Sequence, residues 1–356
     1  MRKIVENFTH HQDDYECMWN GIEDIYINTT NEKIPNQFFF AMSGLCGFAY
    51  IKTNKADIKR MVSFGEGRTR QMYKFLSPIV GFDYHFIESK TPEIALAKAK
   101  KEIDLGHPVA IGALDMYYLE YYPKIYQKSH IPFHYILMVG YDDNLEIIYL
   151  YDCGRKERLE LSYTNLFLGM GAKYEGLSKP NTICTVRMDN SNSKKHIIKT
   201  ALEYKANLFV NPPTGFLGIN GMKKLSKELP DWEKELGNED TVKIIRNMID
   251  FFGSVPTTPN RLLGIAEKDD VTFMCSRDKV SRLLQDLGLE YSNEPLRKAS
   301  ELFYKSGQEF EKLCSIFVDF ILENSHYKDE ASKVVLSVAD LEYNAFMLIL
   351  DGIKAI

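Results

Sequence analysis

His134-Tyr-Ile-Leu-Met-Val-Gly-Tyr-Asp-Asp-Asn-Leu-Glu-Ile-Ile-Tyr-Leu-Tyr-Asp152 carries two apolar runs, Tyr135 to Val139 and Leu145 to Tyr151, on either side of the polar turn Asp142-Asp143-Asn144. Short runs of aliphatic, aromatic and β-branched residues bounded by turn residues read as strands, so residues 134–152 are expected to form a β-hairpin ending at Asp152. Upstream, Pro108 to Leu114 (PVAIGAL) predicts another buried strand. Before it, Thr91 to Asp104 (TPEIALAKAKKEID) predicts a helix, with Pro at its second position, an early Glu and later lysines in the order a helix dipole favours, ended by Gly106. Cys17 to Ile27 (CMWNGIEDIYI) follows the polar run Gln12-Asp13-Asp14 and predicts a helix with Cys17 near its start.

Downstream, Thr182 to Met188 predicts a strand, and the polar stretch Asp189 to Lys195 reads as a linker. Beyond it the pattern turns helical: Met222 to Leu236, Thr241 to Phe252, Asp278 to Leu287, Pro295 to Glu323 and Tyr327 to Ile353 carry apolar residues at three-to-four spacing. The expected fold class is α+β, with a catalytic domain over 1–190 and a helical domain over 196–356 that covers its cleft. Gly215, Gly218 and Gly221 read as a loop and helix entry between the domains. Asp340, Glu342 and Tyr343 read as a solvated helix face.

The chain has 356 residues, 45% of them hydrophobic and 26% charged, the composition of a globular protein with room for about two domains. Forty-four Lys+Arg against 49 Asp+Glu give a formal charge of −5, which argues against nucleic acid as a partner. No window approaches the ~20 apolar residues of a membrane span, and the N-terminal stretch lacks a secretory signal, so a cytoplasmic protein without a membrane partner is expected. Six cysteines form no C-x-x-C pair, and no His or carboxylate cluster has ligand spacing, so neither a metal nor another cofactor is expected.

Among those cysteines Cys17 stands apart. A thiol is a useful nucleophile as its thiolate, favoured by a helix N-terminus or a nearby imidazolium. His134 opens one strand of the hairpin and Asp152 ends the other, so the hairpin can bring them to one rim, where the Asp would orient the imidazole. A nucleophilic Cys on an early helix followed by His and then Asp at strand ends is the order found in papain-like enzymes. Gln12 is a candidate oxyanion-hole donor. Asp115, with Tyr117 and Tyr118 behind it on a strand end, suggests a substrate-binding loop able to grip an amine. His10 and His11 are alternative bases or metal ligands, with a solvated or capping role preferred. The competing reading of each residue is a packed core thiol, a structural His or a solvated loop Asp.

The run Asp115-Met116-Tyr117-Tyr118-Leu119, then Tyr122-Pro123, His134 to Val139 with Gly140-Tyr141-Asp142, and Asp152 resembles the butirosin biosynthesis protein H family. The helical half, with Gly221 to Leu225, Trp232 and Asp340-Leu341-Glu342, is similar to the domain that accompanies it. The resemblance implies a papain-like cysteine fold used for acyl transfer, from an acyl carrier protein or other thioester donor to a small-molecule amine acceptor, in antibiotic-type biosynthesis. By position, Cys17 matches the nucleophile, His134 the base, Asp152 its orienting partner and Asp115 the acid after the strand. Glu16 stands where the family often has His, and Cys153 where a Pro commonly follows the last Asp. An amidase or peptidase with the same triad, and a non-catalytic binding protein on the same shell with Glu16 blunting Cys17, remain the alternatives.

Overall fold

The computed structural model describes residues 1–10, 21–35, 38–42, 47–56, 58–63, 69–132, 134–152, 155–173, 179–252, 274–323 and 326–356. In chain order they form β1 (Arg2–Ile4), α1 (Ile22–Thr30), β2 (Ala49–Lys52), β3 (Arg60–Ser63), α2 (Thr69–Val80), β4 (Asp83–Glu88), α3 (Pro92–Asp104), β5 (Val109–Leu114), β6 (His134–Asp142) and β7 (Ile147–Tyr151). There follow β8 (Leu159–Ser162), α4 (Tyr163–Gly171), β9 (Thr182–Arg187), α5 (Lys194–Val210), α6 (Gly218–Glu228), α7 (Trp232–Leu236), α8 (Asn238–Phe252), α9 (Arg277–Glu290), α10 (Glu294–Glu323) and α11 (Lys328–Gly352). The protein is α+β.

The chain divides into two compact units. Among the described residues, the first takes Met1–Ile34 and Val80–Asn192, and the second takes Pro35–Ile79 and those from Ser193 onward.

The first unit is built on an antiparallel sheet in the order β4-β9-β5-β6-β7-β8. The hairpin at its centre is the one expected from the sequence. Asp142 Oδ1 accepts from the backbone N–H groups of Asn144 (2.9 Å) and Leu145 (3.3 Å), a side chain standing in for a backbone turn bond. The strand β6 is longer than its apolar run suggests because two partners share one of its edges. β5 pairs with residues 134–138, and β1 takes over at Gly140, with Ile4 opposite Gly140 and Arg2 opposite Asp142. A Cβ on Gly140 would stand 2.7 Å from the Lys3 carbonyl oxygen, so glycine is what lets β1 approach.

The helix α3 begins as the sequence implies. Thr91 caps it by accepting from Ile94 N–H, and Pro92 fills the first turn. Its buried Ala95, Leu96, Ala99 and Ile103 recur on one face, which packs on β5, β6 and β9. Gly106, at φ 86°, turns the chain into β5, all six of whose residues are buried. Val109, Ile111, Ile136, Met138, Ile148, Leu150 and Ile183 supply the sheet side of this core.

The second unit is mainly helical, with β2 and β3 as a separate two-stranded sheet. Three expectations are corrected here. Met222 to Leu236 is not one helix: the turn Leu229–Asp231 separates α6 from α7, because Pro230 cannot continue the α6 hydrogen-bond ladder. Gly215, Gly218 and Gly221 lie inside this unit rather than between units, and Gly218, at φ 49°, starts α6 against the Phe209 carbonyl, where a Cβ would meet the oxygen at 2.5 Å. Glu342 is not solvated. Its side chain is fully buried and accepts from Arg277 Nε at 2.7 Å, Arg277 Nη2 at 3.1 Å and Ser306 Oγ at 2.7 Å, while its neighbours Asp340 and Tyr343 are exposed. A buried carboxylate is tolerated when it is paired and hydrogen-bonded, and this one is both.

Candidate functional site

His134 is the first residue of β6 and lies opposite Leu114, the last residue of β5; Asp152 follows Tyr151, the last residue of β7. In the β6–β7 register Leu137 faces Tyr151, so both side chains belong to the same end of the sheet. His134 Nε2 donates to Asp152 at 2.8 Å to Oδ2 and 3.0 Å to Oδ1. The side chains are 4% and 0% exposed, so the pair is shielded from water.

Asp152 is held from a second direction. Tyr121 and Tyr122 each donate a hydroxyl to Oδ2 at 2.9 Å, and the Tyr122 ring stands edge-on to the His134 ring. With Nε2 directed at the Asp152 oxygens, the proton of a neutral His134 sits on Nε2. The other ring nitrogen, Nδ1, is turned away from the carboxylate and is the one with a lone pair, which is the arrangement a general base needs. The two tyrosines were not among the residues singled out from the sequence for this site. Their signal was the aromatic run after Asp115, which reads equally well as lids on the core.

Two further histidine–aspartate pairs lie among the described residues of this unit. Asp115 caps the short helical turn Met116–Tyr118: its Oδ1 accepts from Tyr117 N–H (3.1 Å) and Ile131 N–H (3.0 Å). Its Oδ2 meets His130 Nδ1 at 2.6 Å. The carboxylate is fully buried, whereas the His130 ring is half-exposed and stacks on Tyr117 at 4.2 Å. Tyr118 packs edge-on to Tyr117.

His10 forms the second pair, and the preference for a solvated or capping role is corrected by its 2% exposed side chain. Nδ1 donates to Asp24 Oδ2 at 2.6 Å and Nε2 to the Arg155 carbonyl at 2.9 Å, with the ring stacked on Tyr151. Both partners are acceptors, so both ring nitrogens carry protons and the ring is an imidazolium. Burial lowers its pKa, but the Asp24 hydrogen bond and charge, the Arg155 carbonyl and the charge of Asp152 outweigh it, and the net shift is upward. His10 thus ties α1 to the segment just after Asp152. Thr9 and Asn28 reinforce the tie through a reciprocal pair, at 2.8 Å and 2.7 Å.

Cys17 and Gln12, the expected nucleophile and oxyanion donor, lie outside the described residues, as do Glu16, His11, Cys46 and Cys153. The helix that follows them is described from Ile22, with Gly21 at its N-cap. Among the described residues no group of His, Cys, Asp and Glu is arranged to hold a metal ion, and no helix is long and apolar enough to cross a membrane.

The fold is that of an α+β protein with a buried His–Asp pair at the rim of its antiparallel sheet. Residues 16–153 match the family model described as butirosin biosynthesis protein H, N-terminal. The matched stretch runs from the residue before Cys17 to the residue after Asp152, so it spans the dyad and the loop that supports it. No curated protein matches the chain.

Proposed function

We propose that the protein is a cysteine-dependent acyltransferase of biosynthesis, on a papain-like architecture, which moves an acyl group from a thioester to an amine through an acyl-Cys17 intermediate. The observation that carries this reading is the His134–Asp152 pair, desolvated, with Nε2 committed to the carboxylate and Nδ1 facing away from it. An imidazole so oriented takes the proton of a thiol, and the resulting thiolate–imidazolium pair is stabilised by Asp152. The thiolate attacks the thioester carbonyl, and the departing thiol is protonated by His134. Gln12 supports the oxyanion in this scheme. The matched family is named for a biosynthetic protein, which favours transfer over peptide hydrolysis.

Incubation with an acyl thioester of N-acetylcysteamine, followed by peptide mass spectrometry, tests the proposal. The expected result is an acyl adduct on Cys17, absent in Cys17→Ala. Full transfer activity in Cys17→Ala overturns it, and hydrolysis of peptides without any thioester donor marks the protein as an amidase instead.

A further inference from the structure

The Asp115–His130 pair has the chemistry of a second base. Asp115 is fully buried, both of its oxygens are engaged, and the group of the pair that reaches solvent is the His130 ring. The loop between these residues is the one whose Tyr121 and Tyr122 hydroxyls reach Asp152, so one segment links the two dyads. Asp115 follows Leu114, the cross-strand partner of His134, which places both dyads at the same end of the sheet. Closing the base of this loop does not require the imidazole. Asp115 Oδ1 already accepts from Ile131 N–H, and Met116 N–H donates to the Ile131 carbonyl at 3.0 Å.

Resting on the proposed acyl transfer, we infer that His130, oriented by Asp115, is the base that deprotonates the incoming ammonium of the acceptor. Proton counting leaves a role for such a group. An alkylammonium loses two protons in becoming an amide nitrogen, and after acylation His134 is neutral and accepts one. The other goes to His130 Nε2, the nitrogen left basic when Nδ1 donates to Asp115, and passes from the half-exposed ring to water. The freed lone pair attacks the acyl carbon, the C–N bond forms, and His134 takes the second proton. The C–S bond breaks with its electron pair leaving on Cys17, which restores the thiolate–imidazolium pair.

His130→Asn is the decisive variant, because the Asn amide N–H occupies the place of Nδ1 and keeps the bond to Asp115 while removing the titrating nitrogen. With the N-acetylcysteamine thioester as donor, acyl-Cys17 should form at the wild-type rate. Transfer to 1,3-diaminopropane should fall about 10²-fold and recover with added imidazole. Transfer to hydroxylamine, neutral at neutral pH, should be unaffected. Wild-type transfer to the diamine in folded His130→Asn overturns the inference and leaves the acyltransferase reading standing. Equal losses with both amines overturn it in favour of a structural clasp, and His130→Gln gives the same comparison if the Asn variant does not fold. Absence of acyl-Cys17 in the wild type removes the acyltransferase reading first, and this inference with it.

Discussion

His134 and Asp152 meet at 2.8 Å across the end of a hairpin whose own turn lies at its opposite end, at Asp142 to Glu146. The pair is positioned by sheet register, because a slip of one residue would carry one of the two side chains to the other face. Two tyrosine hydroxyls from a different loop then fix the carboxylate.

Asp152→Ala removes the acceptor that holds His134 in the tautomer with its proton on Nε2. On the proposed mechanism the rate of acyl-Cys17 formation falls by about 10³–10⁴-fold. Rapid-quench mass spectrometry measures it. A rate within a few-fold of wild type means that the His134 orientation does not matter to the chemistry.

His10 makes stability depend on pH. Its folded pKa lies above the ordinary value of 6.5, so its contribution is fully present below about 6.5 and is lost as pH rises through the folded value. The gap in urea midpoint between wild type and His10→Gln should therefore be larger at mildly acidic pH than at alkaline pH. A gap that widens with rising pH contradicts the imidazolium assignment.

In the second unit, Glu342→Gln leaves the Arg277 guanidinium buried without its counter-charge. A loss of about 3–5 kcal/mol in urea unfolding is expected. Arg277→Met with Glu342→Leu should recover much of it, since a well-packed apolar pair avoids desolvating two charges. If the double variant is as unstable as the single one, the contacts of Ser306 with Glu342 and of the Phe310 ring, 5.0 Å from the Arg277 guanidinium, matter more than the charge of the pair.

Gly140→Ala pushes a Cβ against the Lys3 carbonyl, and separation of β1 from β6 should cost about 1–3 kcal/mol. Hydrogen exchange reads the effect locally: protection at Val5, whose N–H donates to the Val139 carbonyl at 2.8 Å, should fall. Unchanged protection there means that the strand yields without detaching.

The local grammar of this chain was readable without coordinates wherever an element is closed by its own neighbours. The hairpin 134–152 has its turn residues within it, α3 has its Thr91 cap and Pro92 at its start, and β5 is a continuous apolar run. From these alone, His134 and Asp152 could be set on adjacent strand ends. What escaped was short or distant. β1 has three residues and is a strand only because β6 offers it an edge. Glu342 looked like surface because its partner lies 65 residues earlier, and His10 looked solvated because Asp24 and the Arg155 carbonyl are 14 and 145 residues away. A polar residue among apolar neighbours carries no mark of the group that will neutralise it. The sequence by itself determined the hairpin 134–152, β5, β9 and α3, and the chemistry that the hairpin ends could bear. Only the tertiary structure decided which charges meet away from water, because desolvation and pairing act between segments the chain brings together last.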